Sequence, residues 1–300
     1  MADASNGTLR IHPHAPPLVP GLSVYAGQYD LILCDVWGVL HNGVAAFASA
    51  GEALTRYRAQ GATVVLVSNA PRPNPFVVKM LDGLGVPRTA YDAIVTSGDV
   101  TREMLAARAG ARVYHLGPER DLSTYDGLDL TLAGLADASL VVCTGLFDDE
   151  VETPEHYRDT LAAMKARDLT LICANPDLVV ERGDKLIFCA GAIAQAYEEI
   201  GGKAVWCGKP YRPIYDTAFA RAEVIRGGAI DREKVLGIGD ALRTDIAGAN
   251  DAGFDSLFIS GGIHAQELKS IDGAIPDTES LAELFTGHAH PRGVMGRLVW

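Results

Sequence analysis

Cysteine pairs spaced for zinc or for thiol exchange are missing from this sequence, and so are a lysine- or arginine-rich run, an internal repeat and a low-complexity tract. The five cysteines, Cys34, Cys143, Cys173, Cys189 and Cys207, are an odd, scattered set with no CxxC among them. They read as buried, reduced thiols rather than a zinc framework or a redox pair. No stretch approaches 18 apolar residues, so no membrane span is expected. The opening MADASNGTLRIHPHAPPLVPG has neither a basic start with an apolar run nor a cleavage site, which predicts a cytoplasmic protein. Positive charge is scarce: 26 basic residues face 38 acidic ones, for a formal charge of -12. Nucleic acid and anionic membrane are therefore not expected partners, whereas a bound divalent cation would offset part of the charge.

What is present is an alternation of apolar runs and amphipathic segments. With 300 residues the chain has material for one large or two modest domains. Residues 1 to about 21 are polar and proline-rich, and an irregular lead-in is expected there. Next come LILC running into Asp35, then ASAGEALTRYRAQG with Ser49 as N-cap, then ATVVLVSNAPRP: strand, helix, strand. FVVKMLDGLG, DAIVTSG and DVTREMLAARAG continue the pattern expected of a parallel sheet. A second alternation, from ARVYHLG to about Gly202, has glycine stops of its own and reads as an inserted domain. Strand-helix units then return and would finish the first sheet, closing on a short helical end.

Four constellations carry chemistry. Asp35 ends an apolar strand, where ligands collect in open α/β sheets. Ser68 and Asn69 follow the next strand and could aim a hydroxyl, an amide and backbone N–H groups at an anion. Lys209 stands in WCGKPYRP, constrained between glycine and proline, with a side chain long enough to neutralise a buried negative charge. In VLGIGDALRTDIAGA a strand ends at Asp240 and a helix opens at Asp245, an oxygen-rich corner suited to Mg2+. A dinucleotide loop is set aside, because Leu242 stands where the third glycine would fall and Asp240 would repel pyrophosphate.

Carboxylate, hydroxyl, lysine and acid pair, in that order and each at a strand end, resemble the haloacid dehalogenase superfamily, and the layout is similar to its class IIA, NagD-like branch of sugar and nucleotide phosphatases. The likeness covers about residues 22 to 285, and CANPD and AGAIAQAYEEIGGKAVWCGKP also fit it. It implies an α/β fold, a Rossmann-like parallel-sheet core with an inserted α/β cap of type C2. The core would take residues 22–110 and 204–300, and the cap residues 111–203. The resemblance further implies that Asp35 attacks phosphorus and forms an aspartyl-phosphate. Ser68 and Asn69 would hold phosphoryl oxygens, and Lys209 would neutralise charge. Mg2+ would bridge Asp35, Asp240 and the main-chain carbonyl of Trp37, with Asp245 steadying it. Asn175 and Asp177, in the cap, would read a small phosphorylated metabolite, and caps of this branch often pair in homodimers.

One position departs from the family pattern. A second aspartate is usual two residues after the nucleophile, to protonate the leaving oxygen and later activate water, and here it is Trp37. General acid-base help is worth roughly 10²- to 10⁴-fold. Three readings follow: a phosphohydrolase for good leaving groups or with a substitute acid such as His41; a silent phosphate-ligand binder; or a receiver-type phosphoacceptor, against which the distance to Lys209 speaks.

Overall fold

The computed structural model describes residues 12–182 and 185–300. Strand β1 (Leu31–Cys34) is buried at every position, as are its neighbours β2 (Thr63–Ser68) and most of β3 (Ala93–Thr96). Unbroken apolar runs of this kind suit strands covered by helices on both faces. Helices α1 (Ala48–Arg58), α2 (Asn74–Leu84) and α3 (Ser97–Ala106) alternate with them. The chain continues through β4 (Ala111–Leu116), β5 (Leu130–Leu132), β6 (Leu140–Cys143), α4 (Arg158–Ala166) and β7 (Thr170–Cys173). Then come β8 (Val179–Arg182), β9 (Lys185–Phe188), α5 (Ala190–Glu199), β10 (Lys203–Trp206) and α6 (Arg212–Arg226). β11 (Val235–Gly239), α7 (Ala247–Asp251), β12 (Asp255–Ile259), α8 (Thr278–Leu284) and β13 (Gly293–Met295) complete it.

Two parallel sheets result. The first has the order β13-β12-β11-β1-β2-β3, the second β10-β7-β6-β4-β5, and β8 pairs antiparallel with β9. From β1 the chain winds outward through β2 and β3; from β11 it winds the other way through β12 and β13. β1 and β11 are therefore adjacent at a topological switch point, and a crevice opens beyond their carboxyl ends. One apolar cluster packs α1 and α2 on one face of the first sheet, with Leu54, Tyr57 and Leu81 at its centre. The cluster on the other face holds Val95, Ile214 and Phe219 together with Val113, Val142 and Ile172 of the second sheet, so the two sheets share core.

Several expectations shift in detail. The second sheet runs on to Trp206, because β10 pairs with β7 through Cys173, so its last strand extends beyond residue 203. Ser49 is not an N-cap: Phe47 stands there, and the Ser49 hydroxyl donates to the Leu298 carbonyl (3.1 Å). The chain's last residues are not simply helical, since β13 adds a parallel strand beside β12. Of the lead-in, residues 1–11 lie outside the described residues, and the rest is tied to β13 by Val19 N–H to Val294 O (3.0 Å). All five cysteines are free and buried. Among the described residues, no helix is long and apolar enough to cross a membrane.

Candidate active site

Asp35 directly follows β1, and its N–H donates to the Ile238 carbonyl of β11 (2.8 Å), which fixes it at the switch point. Asp240 directly follows β11 and fills a slot between two glycines. A Cβ on Gly38, which has φ +84, would lie 2.0 Å from Asp240 Oδ2, and one on Gly262 would lie 1.9 Å from it. Only residues without a side chain leave that carboxylate room. The Ile263 N–H donates to the same oxygen (2.8 Å). Asp245 Oδ2 accepts from the Ala241 N–H (3.1 Å), while its Oδ1 accepts from Lys209 Nζ (2.7 Å). Lys209 Nζ also donates to Asp35 Oδ1. Asp35, Asp240 and Asp245 each offer an oxygen within 4.8 Å of the others, all three being buried.

Three carboxylates against one ammonium leave two negative charges when all are ionised. Burial pushes the Asp35 carboxyl up to about 7, with Lys209 opposing and Asp245 adding to the rise. Asp240 is held well above the carboxylate range by burial and by repulsion from Asp35 and Asp245. For Lys209, burial works against the charge, but Asp245 and Asp35 outweigh it and hold the ammonium well above its usual range. A hard divalent cation brings the missing two charges, and an all-oxygen donor set is what such an ion prefers. The residues present fit one.

A family model of haloacid dehalogenase-like hydrolases matches residues 32–131, and a HAD-hydrolase-like model matches residues 206–284. A solved hydrolase of the haloacid dehalogenase-like family from Brucella suis 1330 is 48% identical and superposes with a TM-score of 0.84, covering 94% of this chain and 100% of that one. The ribonucleotide monophosphatase NagD of Escherichia coli (strain K12) is 26% identical over 251 residues, 80% of this chain and 90% of that protein. The chain is a class IIA, NagD-like haloacid dehalogenase hydrolase.

A glycerol phosphate phosphatase from Mycobacterium tuberculosis, solved in complex with calcium, is 25% identical to this hydrolase, with a TM-score of 0.62 over 86% of this chain and 77% of that one. Around the acidic cluster the hydrolase has a cavity of about 510 Å3, lined by the expected residues Asp35, Trp37, His41, Ser68, Asn69, Asn175, Asp177, Lys209, Asp240 and Asp245. They do not all stand free in it. Ser68 Oγ accepts from the Ala70 N–H (3.2 Å), which leaves its proton to donate. The Asn69 side chain is occupied instead: its Oδ1 accepts from the Lys209 N–H (2.7 Å) and its Nδ2 donates to Asp177 Oδ1 (2.9 Å) and Lys209 O (3.2 Å). It clamps the lysine loop to the cap loop, so an amide held ready for phosphate is not what the structure shows. Asn175 likewise turns inward on its own loop, accepting from the Asp177 N–H (3.1 Å) in an Asx turn.

The Trp37 indole lies against Gly43 and meets the His41 ring edge-on, centroids 5.0 Å apart. His41 is fully buried, and burial lowers its imidazole to about 4. Its Nδ1 accepts from the Gly43 N–H (2.9 Å), so the proton sits on Nε2, which is buried without a partner. The expectation of His41 as substitute acid is thus corrected: a neutral imidazole folded into its loop has no acidic proton to give near pH 7. Sequence reasoning also passed over Gly262, Ile263 and Arg297. The Gly-Gly pair that ends the apolar run of β12 was a visible signal for the first two; Arg297 had none.

Proposed function

We propose that this hydrolase is a divalent-metal-dependent phosphomonoesterase, with Mg2+ as the natural ion, acting on a small phosphorylated metabolite. The observation that carries the reading is the buried Asp35 carboxylate, bonded to Lys209 and set among Asp240 and Asp245 at the switch-point crevice. The relatives named above support it, being phosphatases by name. Asp35, Asp240 and the main chain at Trp37 would hold the metal, with Asp245 beside it. The bound ion supplies charge neutralisation for the phosphoryl oxygens.

A carboxylate oxygen of Asp35 bonds to phosphorus as the bond from phosphorus to the leaving oxygen breaks. Lys209 stays bonded to Asp35 and offers its remaining proton donor to the phosphoryl group, beside the Ser68 hydroxyl. In the second half, water adds to phosphorus, the Asp35–phosphorus bond breaks and phosphate leaves. Trp37 can transfer no proton to the leaving oxygen. Asp177 is a half-buried carboxyl in the same cavity; desolvation raises it, and Asn69 anchors it beside the lysine loop. It is the group available to give the leaving oxygen its proton and to take one from water afterwards.

The test is phosphate release from an aryl phosphate, wild type beside Asp35→Asn, with and without EDTA. Turnover should need the metal and fall by three orders of magnitude or more, on the order of what loss of a nucleophile costs. A folded wild type that binds phosphate in Mg2+ yet releases none would favour a silent binder, the second of the readings that Trp37 opens.

A further inference from the structure

The cavity is far roomier than a phosphoryl group needs, and about 510 Å3 is the size of pocket that takes a whole small ligand. Beyond the carboxylate cluster one part of its wall is apolar, with Phe47, Phe76, Val77 and Met80 from the first sheet's loops and helices and Val179 and Val180 from β8. Set in that wall is Arg297, two residues past β13. Its guanidinium carbon stands 4.2 Å from the centroid of the Phe47 ring, so the group is braced by a cation–π contact. Its Nε is buried and has no hydrogen-bond partner. Asp272 Oδ1 is 3.9 Å from its terminal nitrogen, beyond hydrogen-bond reach, and the Asp272 side chain is 97% exposed. The other cations lining the cavity are placed differently: Lys209 is bonded to two carboxylates, and Arg72 faces the buried Asp121 at 3.6 Å. A planar fork of donors, held on an aromatic ring and matched only by a loose, solvent-exposed counter-charge, is suited to a carboxylate or phosphate oxygen pair.

We infer that Arg297 reads a second anionic group on the substrate, and that the leaving group combines this anion with an apolar, flat portion that lies along the Phe47 and Met80 wall. The inference rests on the phosphomonoesterase reading above and names its substrate class. It excludes substrates as small and uncharged beyond the phosphate as a simple polyol ester.

The test compares 4-carboxyphenyl phosphate and phenyl 1,4-bisphosphate with the neutral 4-carbamoylphenyl phosphate. Wild type should favour an anionic substrate at least tenfold in kcat/KM, and the preference should collapse toward unity in Arg297→Met, chiefly through KM. Arg297→Lys, which keeps the charge and the stem but not the fork, should restore part of it. The carboxylate and bisphosphate arms tell which anion is read. A preference that survives Arg297→Met, or no preference in wild type, overturns the inference. If wild type cleaves none of the three, the phosphomonoesterase reading fails on its own, and the thermal shifts given by 4-carboxybenzylphosphonate and 4-carbamoylbenzylphosphonate decide. A larger shift with the carboxylate, lost in Arg297→Met, upholds the anion site; equal shifts reject it.

Discussion

Lys209 and Arg297 are two cations in one cavity, and the protein treats them in opposite ways. The Lys209 side chain is 5% exposed, bonded to two carboxylates, and its backbone is clasped by Asn69. The Arg297 side chain is 29% exposed, braced by an aromatic ring and by one loose contact. At the lysine end the charges are arranged before any substrate arrives, so little reorganisation is left to the reaction. At the arginine end donors are left open for whatever enters. Relatives can therefore share the first end and differ in the second, which matches a family whose members carry names as different as ribonucleotide monophosphatase and glycerol phosphate phosphatase.

Asp177 lines the cavity that holds both cations, and its substitution has the largest expected effect on the comparison. Asp177→Asn keeps an acceptor for Asn69 but removes the transferable proton. Alkyl phosphates, whose leaving oxygen needs that proton, should lose about 10²- to 10⁴-fold in kcat, whereas 4-nitrophenyl phosphate should lose far less. The divergence between the two leaving groups is the signature. An equal loss on both would return Asp177 to the recognition end, as a residue that only shapes the cavity.

Gly262→Ala probes the carboxylate end without replacing a charged group. The new methyl would come within 1.9 Å of Asp240 Oδ2, so that carboxylate must leave its slot and its bond to the Ile263 N–H. Displacing a ligand's support typically weakens metal binding by about 10- to 100-fold. Activity titrated with Mg2+ should show the midpoint moving up by that factor, with kcat largely recovered at high metal. An unmoved midpoint would mean that Asp240 tolerates displacement, and that this end is less rigidly arranged than the contacts imply.

The same contrast explains what could be read from the sequence. Asp35, Ser68, Lys209 and Asp240 each end an apolar run or sit in a Gly/Pro frame, and strand order brings strand ends together; short-range signals therefore found them. Side-chain commitments were hidden: nothing in SNAPRP says that Asn69 spends its amide on Lys209, 140 residues away. The apolar wall and Arg297 were equally illegible, because Phe47, Met80, Val179 and Arg297 come from four distant segments whose meeting depends on how loops pack. Short strands escaped for a simpler reason. β5 and β13 have three residues each, too few to show a period.

His41 supplies the finest distinction, since it lines the cavity yet belongs to neither end. Its folded-state imidazole sits at about 4, against 6.5 when exposed, because burial disfavours the charged ring. As the pH falls, the unfolded chain takes up this proton first. The stability that the neutral ring contributes is thus complete above about pH 6.5 and is lost as the pH falls through about 4. The shift is worth roughly 3 kcal/mol. His41→Asn retains an acceptor for the Gly43 N–H and removes the titration. In urea unfolding between pH 7 and 4, the wild type should lose stability faster than the variant by that order, while kcat at pH 7 changes by no more than a few-fold. A large kcat loss confined to alkyl phosphates, with no difference in the pH slope, would instead make His41 the proton donor and release Asp177 from that role.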